Sequence, residues 1–261
     1  MHRSEARDYA TINGQFAVIA GKMPRLAESV IRSHMVLLFC AFLILFAGCG
    51  RDSTLNRAVR DNDIAAVKSL LAKGNDVNER IGSGESPIII AAEHAKPEML
   101  ETLLEDGADP HARDRNGYTP LLLAAGKGRT DNVMILLSAG AKVNETTPTG
   151  YTALMASADR GWTETAKLLI AGGAQIDAKT TAGYTALMSA VWSRDVETVQ
   201  VLVDAGADLS LKNNKGETAL TIAQGLDEKG MIAILRAKQV QKSQNTLESM
   251  KVSHHPPGNT P

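Results

Sequence analysis

Glycines at 84, 117, 150, 183 and 216 stand in steps of 33 with no insertion or deletion between them. Two further sets keep the same period: Leu70, Leu103, Leu136, Leu169, Leu202 and Leu235, and Gly74, Gly107, Gly140, Gly173 and Gly206. A fixed period sustained over this length means that one supersecondary unit is built again and again. Such a unit cannot bury its apolar face alone, so neighbouring units must stack into a solenoid with a continuous core.

One unit, GYTPLLLAAGKGRTDNVMILLSAGAKVNETTPT from Gly117 to Thr149, reads as a glycine turn, a short helix, a turn, a longer helix and a polar excursion. Glycines such as Gly107 fall where the second helix closes and a left-handed residue without a Cβ penalty is wanted. Thr119, Thr152, Thr185 and Thr218 stand at the N-cap of the first helix, where a hydroxyl accepts from a free amide of the first turn. Small residues at Ala91, Ala124, Ser157, Ala190 and Ala223 let units approach closely, and leucines fill the space between them. All four phenylalanines, Phe16, Phe39, Phe42 and Phe46, precede the repeats. The core is therefore aliphatic and alanine-rich, a composition that suits stacked helices better than a sheet sandwich.

These residues resemble the ankyrin repeat, with its G-x-T-P-L-H-x-A-A opening and its later leucine pair and G-A-D-V-N. The resemblance covers Arg51 to about Lys238. It implies an all-α solenoid of six helix–turn–helix units with β-hairpin tips, units 51–83, 84–116, 117–149, 150–182, 183–215 and 216–238, in a repeat domain over 54–238. Two departures stand out. The histidine of the opening is Ile89, Leu122, Met155, Met188 or Thr221, and its proline survives only as Pro87 and Pro120. Both remove local hydrogen bonds without disturbing the register. Arg57 and Arg60 mark the first unit as a cap, and Arg236 replaces the apolar residue seen as Leu137, Ile170 and Val203, as a solvated outer face requires. The polar, proline-bearing segment 239–261 is expected to be disordered.

Ahead of the repeats, MVLLFCAFLILFAG from Met35 to Gly48 carries no charge. A helix of this length spans about 21 Å, short of the roughly 30 Å hydrocarbon core, so the run fits the hydrophobic region of a secretory signal. Phe46-Ala47-Gly48-Cys49 resembles the bacterial lipobox, with Phe46 in place of the usual leucine. That resemblance implies a leader over 1–48, cleavage before Cys49, a diacylglyceryl group on its thiol, and a short lipidated tether over 49–53. Met23 is a plausible true start, since it leaves a short leader with two arginines, Arg25 and Arg32, before the apolar run. Cys40 lies in the discarded segment, so the mature chain has one cysteine and no disulfide. Gly50, rather than aspartate, follows the lipidated cysteine, which favours the outer membrane over retention at the inner one. The localisation expected is the bacterial envelope, on the periplasmic face.

Catalytic patterns do not fit this register. The 28 basic and 29 acidic side chains balance, which removes the electrostatic footprint of a nucleic-acid binder. Gly126-Lys127-Gly128 lacks the first glycine of a phosphate loop and the hydroxyl residue after its lysine. His94 and His111 do not share the one-turn spacing of a helical metal pair, and His254-His255 lie in the tail. No enzyme activity, no metal and no cofactor are expected. The ankyrin resemblance implies instead that the chain binds another protein, through hairpin tips and first-helix residues, as a monomer tethered to a membrane. The alternative is a metal- or haem-handling accessory protein of oxidative-stress defence, since exported bacterial ankyrin proteins are sometimes associated with catalases.

GYTALM occurs at Gly150–Met155 and Gly183–Met188, and GYTPLL at Gly117–Leu122. The glycine, threonine and leucine have folding reasons. The tyrosine falls where the ankyrin family places variable contact residues, and the outer units hold Glu85 and Glu217 there. Tyr118, Tyr151 and Tyr184 are thus the expected partner contacts, because tyrosine supplies rigid amphipathic area at low entropic cost. Trp192, Glu93, His94, Lys127, Asp159 and Arg160 are expected at the first-helix end facing the same groove, whereas Trp162 begins a second helix and is assigned to structure. The competing expectation is that each tyrosine packs along its neighbouring hairpin as a structural ladder.

Overall fold

The computed structural model of the chain describes residues 54–82 and 84–253. The leader, the lipobox and Cys49 lie outside the described residues. Among the described residues twelve helices follow in pairs: α1 Thr54–Arg60 and α2 Ile64–Ala72, α3 Pro87–His94 and α4 Pro97–Glu105, α5 Pro120–Gly126 and α6 Thr130–Ser138, α7 Ala153–Ala158 and α8 Thr163–Ala171, α9 Ala186–Trp192 and α10 Val196–Asp204, α11 Ala219–Gly225 and α12 Lys229–Ser253. The first helices of successive pairs stack in one row and the second helices in another. This is the all-α repeat solenoid the period requires. Every buried apolar residue of its core lies between Leu55 and Leu235.

The threonines cap as expected. Thr119, Thr152, Thr185 and Thr218 each accept from the backbone amide three residues on, at 3.2 to 3.3 Å. In the last unit Thr221 answers by accepting from the Thr218 amide at 2.8 Å, which closes a capping box. The second unit solves its start differently: Ser86 is buried and its hydroxyl makes no bond, while Pro87 at the first helical position needs no amide partner. At the other end of the unit Gly140 takes φ +86°, and the amides of Gly140 and Ala141 bond back to Leu137 and Leu136 at 3.0 and 2.9 Å. That arrangement satisfies the open carbonyls of the helix end.

Leu103, Leu136, Leu169, Leu202 and Leu235 are wholly buried between the rows, and each removes a side chain worth about 1.5–3 kcal/mol from water. Leu70 of the first unit is only half-buried, as an end position must be. Polar groups stitch the stack. Buried Asn132 donates to the carbonyls of Ala91, Ala92 and Ala95 in the unit before it at 3.3 to 3.4 Å. Thr130 pairs with Thr165, and Thr163 with Thr198, both at 2.8 Å. Asn78 and Asn144 each reach the loop of the next unit through both ends of the amide. These bonds recur near the repeat period, so the units are held in register by chemistry as well as by shape.

The tips are turns of hairpin type. In the third tip, for example, the Thr147 amide bonds the Tyr151 carbonyl at 3.0 Å and the Gly150 amide bonds the Thr147 carbonyl at 2.9 Å. Among the described residues no strand forms, and the single bridge joins Thr146 to Thr152. Gly150 takes φ +77°, and a Cβ there would meet the Lys179 carbonyl of the next tip at 2.8 Å, so both the turn and the stacking demand glycine.

The C-terminal segment differs from expectation. Segment 239–261 was expected to be disordered from its start, yet α12 continues to Ser253. Its first turns are anchored by Met231 and Leu235, both fully buried, and the sequence beyond carries lysine, glutamine, leucine and glutamate with no glycine or proline before Pro256. Lys238 and Lys242 also reach Asp204 and Asp208 at 4.0 and 3.7 Å. Asp208, held below the usual carboxylate range by the Ser210 amide and hydroxyl and further by Lys242, stays charged to receive Lys242. Polarity alone therefore misplaced the boundary at residue 238. No helix among the described residues is long and apolar enough to cross a membrane.

Candidate functional site

Each tyrosine of the row follows a glycine in the left-handed region, Gly117, Gly150 or Gly183, and its backbone is clamped at both ends. The amides of Tyr118, Tyr151 and Tyr184 bond to Asp114 Oδ1, Thr147 Oγ1 and Thr180 Oγ1 at 2.8, 3.1 and 3.0 Å. Their carbonyls accept from the amides of the same three residues. All three rings are half-buried and rest against the aliphatic core. The Tyr151 hydroxyl donates to the Met155 carbonyl at 3.4 Å. Burial pushes the Tyr151 phenol well above its ordinary value, with the charge of Asp159 and the neighbouring Tyr118 adding and Arg160 opposing. The expectation that tyrosine has no folding task at this position is corrected, because the ring covers core that would otherwise meet water. The outer units close the same position with polar partners: Arg60 donates to Glu85 at 2.8 Å, and Asn213 to Glu217 at 2.8 Å.

The first-helix end presents two register columns. Glu93, Gly126, Asp159 and Trp192 occupy one, and His94, Lys127, Arg160 and Ser193 the next. Glu93 binds Lys127 across the unit boundary at 3.0 Å and stands 3.4 Å from His94. Arg160 lies 3.9 Å from Asp159, a charge contact without a hydrogen bond. Trp192 is 48 % exposed at the end of α9. Trp162 is exposed to a similar degree, 44 %, but donates through Nε1 to the Gly126 carbonyl at 3.1 Å and lies over Gly128, which ties it to the neighbouring unit.

Tyr118, Tyr151, Lys127, Asp159 and Arg160 come together around a groove of about 370 Å³ on the third and fourth units. Tyr184, Trp192, Glu93 and His94 do not line it. Sequence reasoning missed its floor, Gly126, Leu123 and Ala156, with Thr149 at the tip. The repeat columns do not single them out, since Gly225 and Ser189 are equally small at the same positions of other units. The tyrosine rings, Leu123 and Ala156 give the groove apolar lining, and Lys127, Arg160 and Asp159 give it charge, a composition suited to a protein segment. The ordered histidines each face a carboxylate, His94 toward Glu93 and His111 toward Glu145 at 3.1 Å. Among the described residues no group of three or more histidine, cysteine, aspartate or glutamate side chains is arranged to hold a metal ion.

The family model described as ankyrin repeats, three copies, matches residues 55–147 and 135–213, together more than half of the chain. No curated protein matches it. Period, paired helices, capped threonines and this match agree, and the chain belongs to the ankyrin-repeat family.

Proposed function

We propose that the chain is a lipid-tethered scaffold of the bacterial envelope that holds a protein partner in the groove of its third and fourth units and performs no catalysis. Ankyrin repeats are protein-interaction modules, and the observation that carries this reading is the groove itself, where residues from two units and two register columns converge on one apolar floor. Tyr118 and Tyr151 form its wall while serving the core. Tyr184 and Trp192 extend the surface along the fifth unit.

The lipobox-like Phe46-Ala47-Gly48-Cys49 supports the tether. Only Gly50 to Ser53 separate Cys49 from α1, a reach of at most about 14 Å, so the first unit sits close to the bilayer and the middle units are better placed for a partner. One acyl chain binds a membrane marginally at about 0.8 kcal/mol per buried methylene, whereas the two or three of a lipoprotein anchor it firmly. Cys49→Ala should therefore move the protein from the membrane fraction to the soluble one. An unmodified segment still attached upstream of Cys49 in membrane-bound protein would overturn the tether. For the groove, a photo-crosslinker at Thr149 in intact cells should give one discrete protein adduct, which is lost when Gly126→Leu fills the floor. An adduct unaffected by that change would remove the groove from the function.

A further inference from the structure

Two small residues from neighbouring units, Gly126 and Ala156, stand together in the lining of the groove. The third unit has Gly126 where the second, fourth and fifth carry Glu93, Asp159 and Trp192, and the fourth has Ala156 where the second, third and sixth carry Ile90, Leu123 and Ile222 and the fifth carries Ser189. Gly126 ends α5 in ordinary helical conformation, and a Cβ built on it would meet only the Ala156 Cβ, at 3.6 Å. Neither backbone nor packing therefore requires glycine there, although alanine would favour the helix. Gly225 repeats the choice in the last unit, but in open space. At Gly126 the absent side chain leaves space beside Ala156 in the groove.

The rim determines what enters that volume. Lys127 is engaged by Glu93, which is itself three-quarters covered, so this pair is closed. Arg160 is the uncommitted charge: its side chain is 70 % exposed, and its nearest carboxylate, Asp159, stands outside hydrogen-bond distance at 3.9 Å. A guanidinium offers a planar fork of donors that matches a carboxylate through two bonds. Asp159 opposes an incoming carboxylate from one side, and it is exposed enough for water to screen it.

We infer that the groove takes an extended partner segment in which a large apolar side chain is followed by a carboxylate residue, the apolar group filling the space over Gly126 and Ala156 and the carboxylate pairing with Arg160. This rests on the protein-binding reading above and adds the chemistry of the segment recognised. The Tyr118 and Tyr151 rings in the lining favour an aromatic side chain over an aliphatic one, because aromatic pairs gain beyond their buried area.

The test uses fluorescein-labelled Gly-Phe-Glu-Gly amide, with Gly-Phe-Gln-Gly and Gly-Phe-Lys-Gly amides as comparators, titrated by anisotropy against the full chain in detergent micelles. The glutamate probe should bind about fivefold more tightly than the glutamine probe, the scale of one exposed charge pair, and the lysine probe most weakly. Arg160→Gln, an exposed change that leaves the core intact, should erase the glutamate preference while keeping the phenylalanine-dependent part. Gly126→Leu should abolish binding of all three, and Gly126→Ala should keep it; their helical circular dichroism must match the parent chain. Equal affinities for the three probes, a preference for lysine, or an absence of binding each overturns the inference. The crosslinked adduct at Thr149 would survive that failure if a partner of other chemistry uses the groove, so the two readings fail separately.

Discussion

Tyr118, Tyr151 and Tyr184 hold one position of the repeat, and Glu93, Gly126, Asp159 and Trp192 hold another. The first position repeats through the three central units and the second changes in every one of these four. In the structure the constant position is clamped at its backbone and rests its ring on the core, while the changing one stands at the open end of the first helix. Within a solenoid each unit meets the same packing problem, so a residue that recurs at a packed position answers it. A position that varies in size and charge from unit to unit is released from that duty. The tyrosine row was expected to contact a partner because it falls where the family varies its contact residues, and the same rings also pack on the core.

This comparison can be broken by experiment, most forcefully at the core. Leu169→Ala removes a fully buried side chain and should cost about 2–5 kcal/mol in urea unfolding. The tyrosine position comes next. Tyr151→Ala should cost about 2 kcal/mol, roughly half the price of a fully buried aromatic, whereas Tyr151→Phe should change little. A Tyr151→Ala variant as stable as the parent chain would return the row to pure recognition. Thr152→Ala should cost about 1 kcal/mol through its lost cap. Trp192→Ala and Asp159→Asn should each stay within about 0.5 kcal/mol, because both side chains are exposed. A larger loss at Trp192 would place it among the packed positions.

The Tyr151 phenol sharpens the same contrast through pH. Its folded value lies above its unfolded one, so its contribution to stability is complete below about pH 10 and is lost as pH rises beyond that. Phenolate absorbance that disappears in Tyr151→Phe should belong to the part of the titration well above pH 10. A component removed near pH 10 would show that the ring is not buried.

Much of the fold was legible because its causes are local. Glycine at a left-handed position, threonine at an N-cap and leucine at a fixed phase each act within a few residues, and the period multiplies the signal six times. The C-terminal helix was misjudged for a physical reason: polar composition resembles disorder, while the burial of Met231 and Leu235 that nucleates α12 depends on the preceding unit. Lys127, Asp159 and Arg160 were legible as first-helix end residues facing one groove with Tyr118 and Tyr151, but the exclusion of Tyr184, Trp192, Glu93 and His94 from it was not. Gly126 was passed over since an unexceptional helical glycine carries no local signal.

The amino-acid sequence by itself determined the number of units, their register, the helix caps and the obligatory glycines, because each follows from short-range sterics and hydrogen bonding repeated at one interval. Only the tertiary structure decided where a groove opens. That volume is the difference between side chains contributed by neighbouring units, Gly126 from one and Ala156 from the next, and a difference across an interface has no representation along a single stretch of chain.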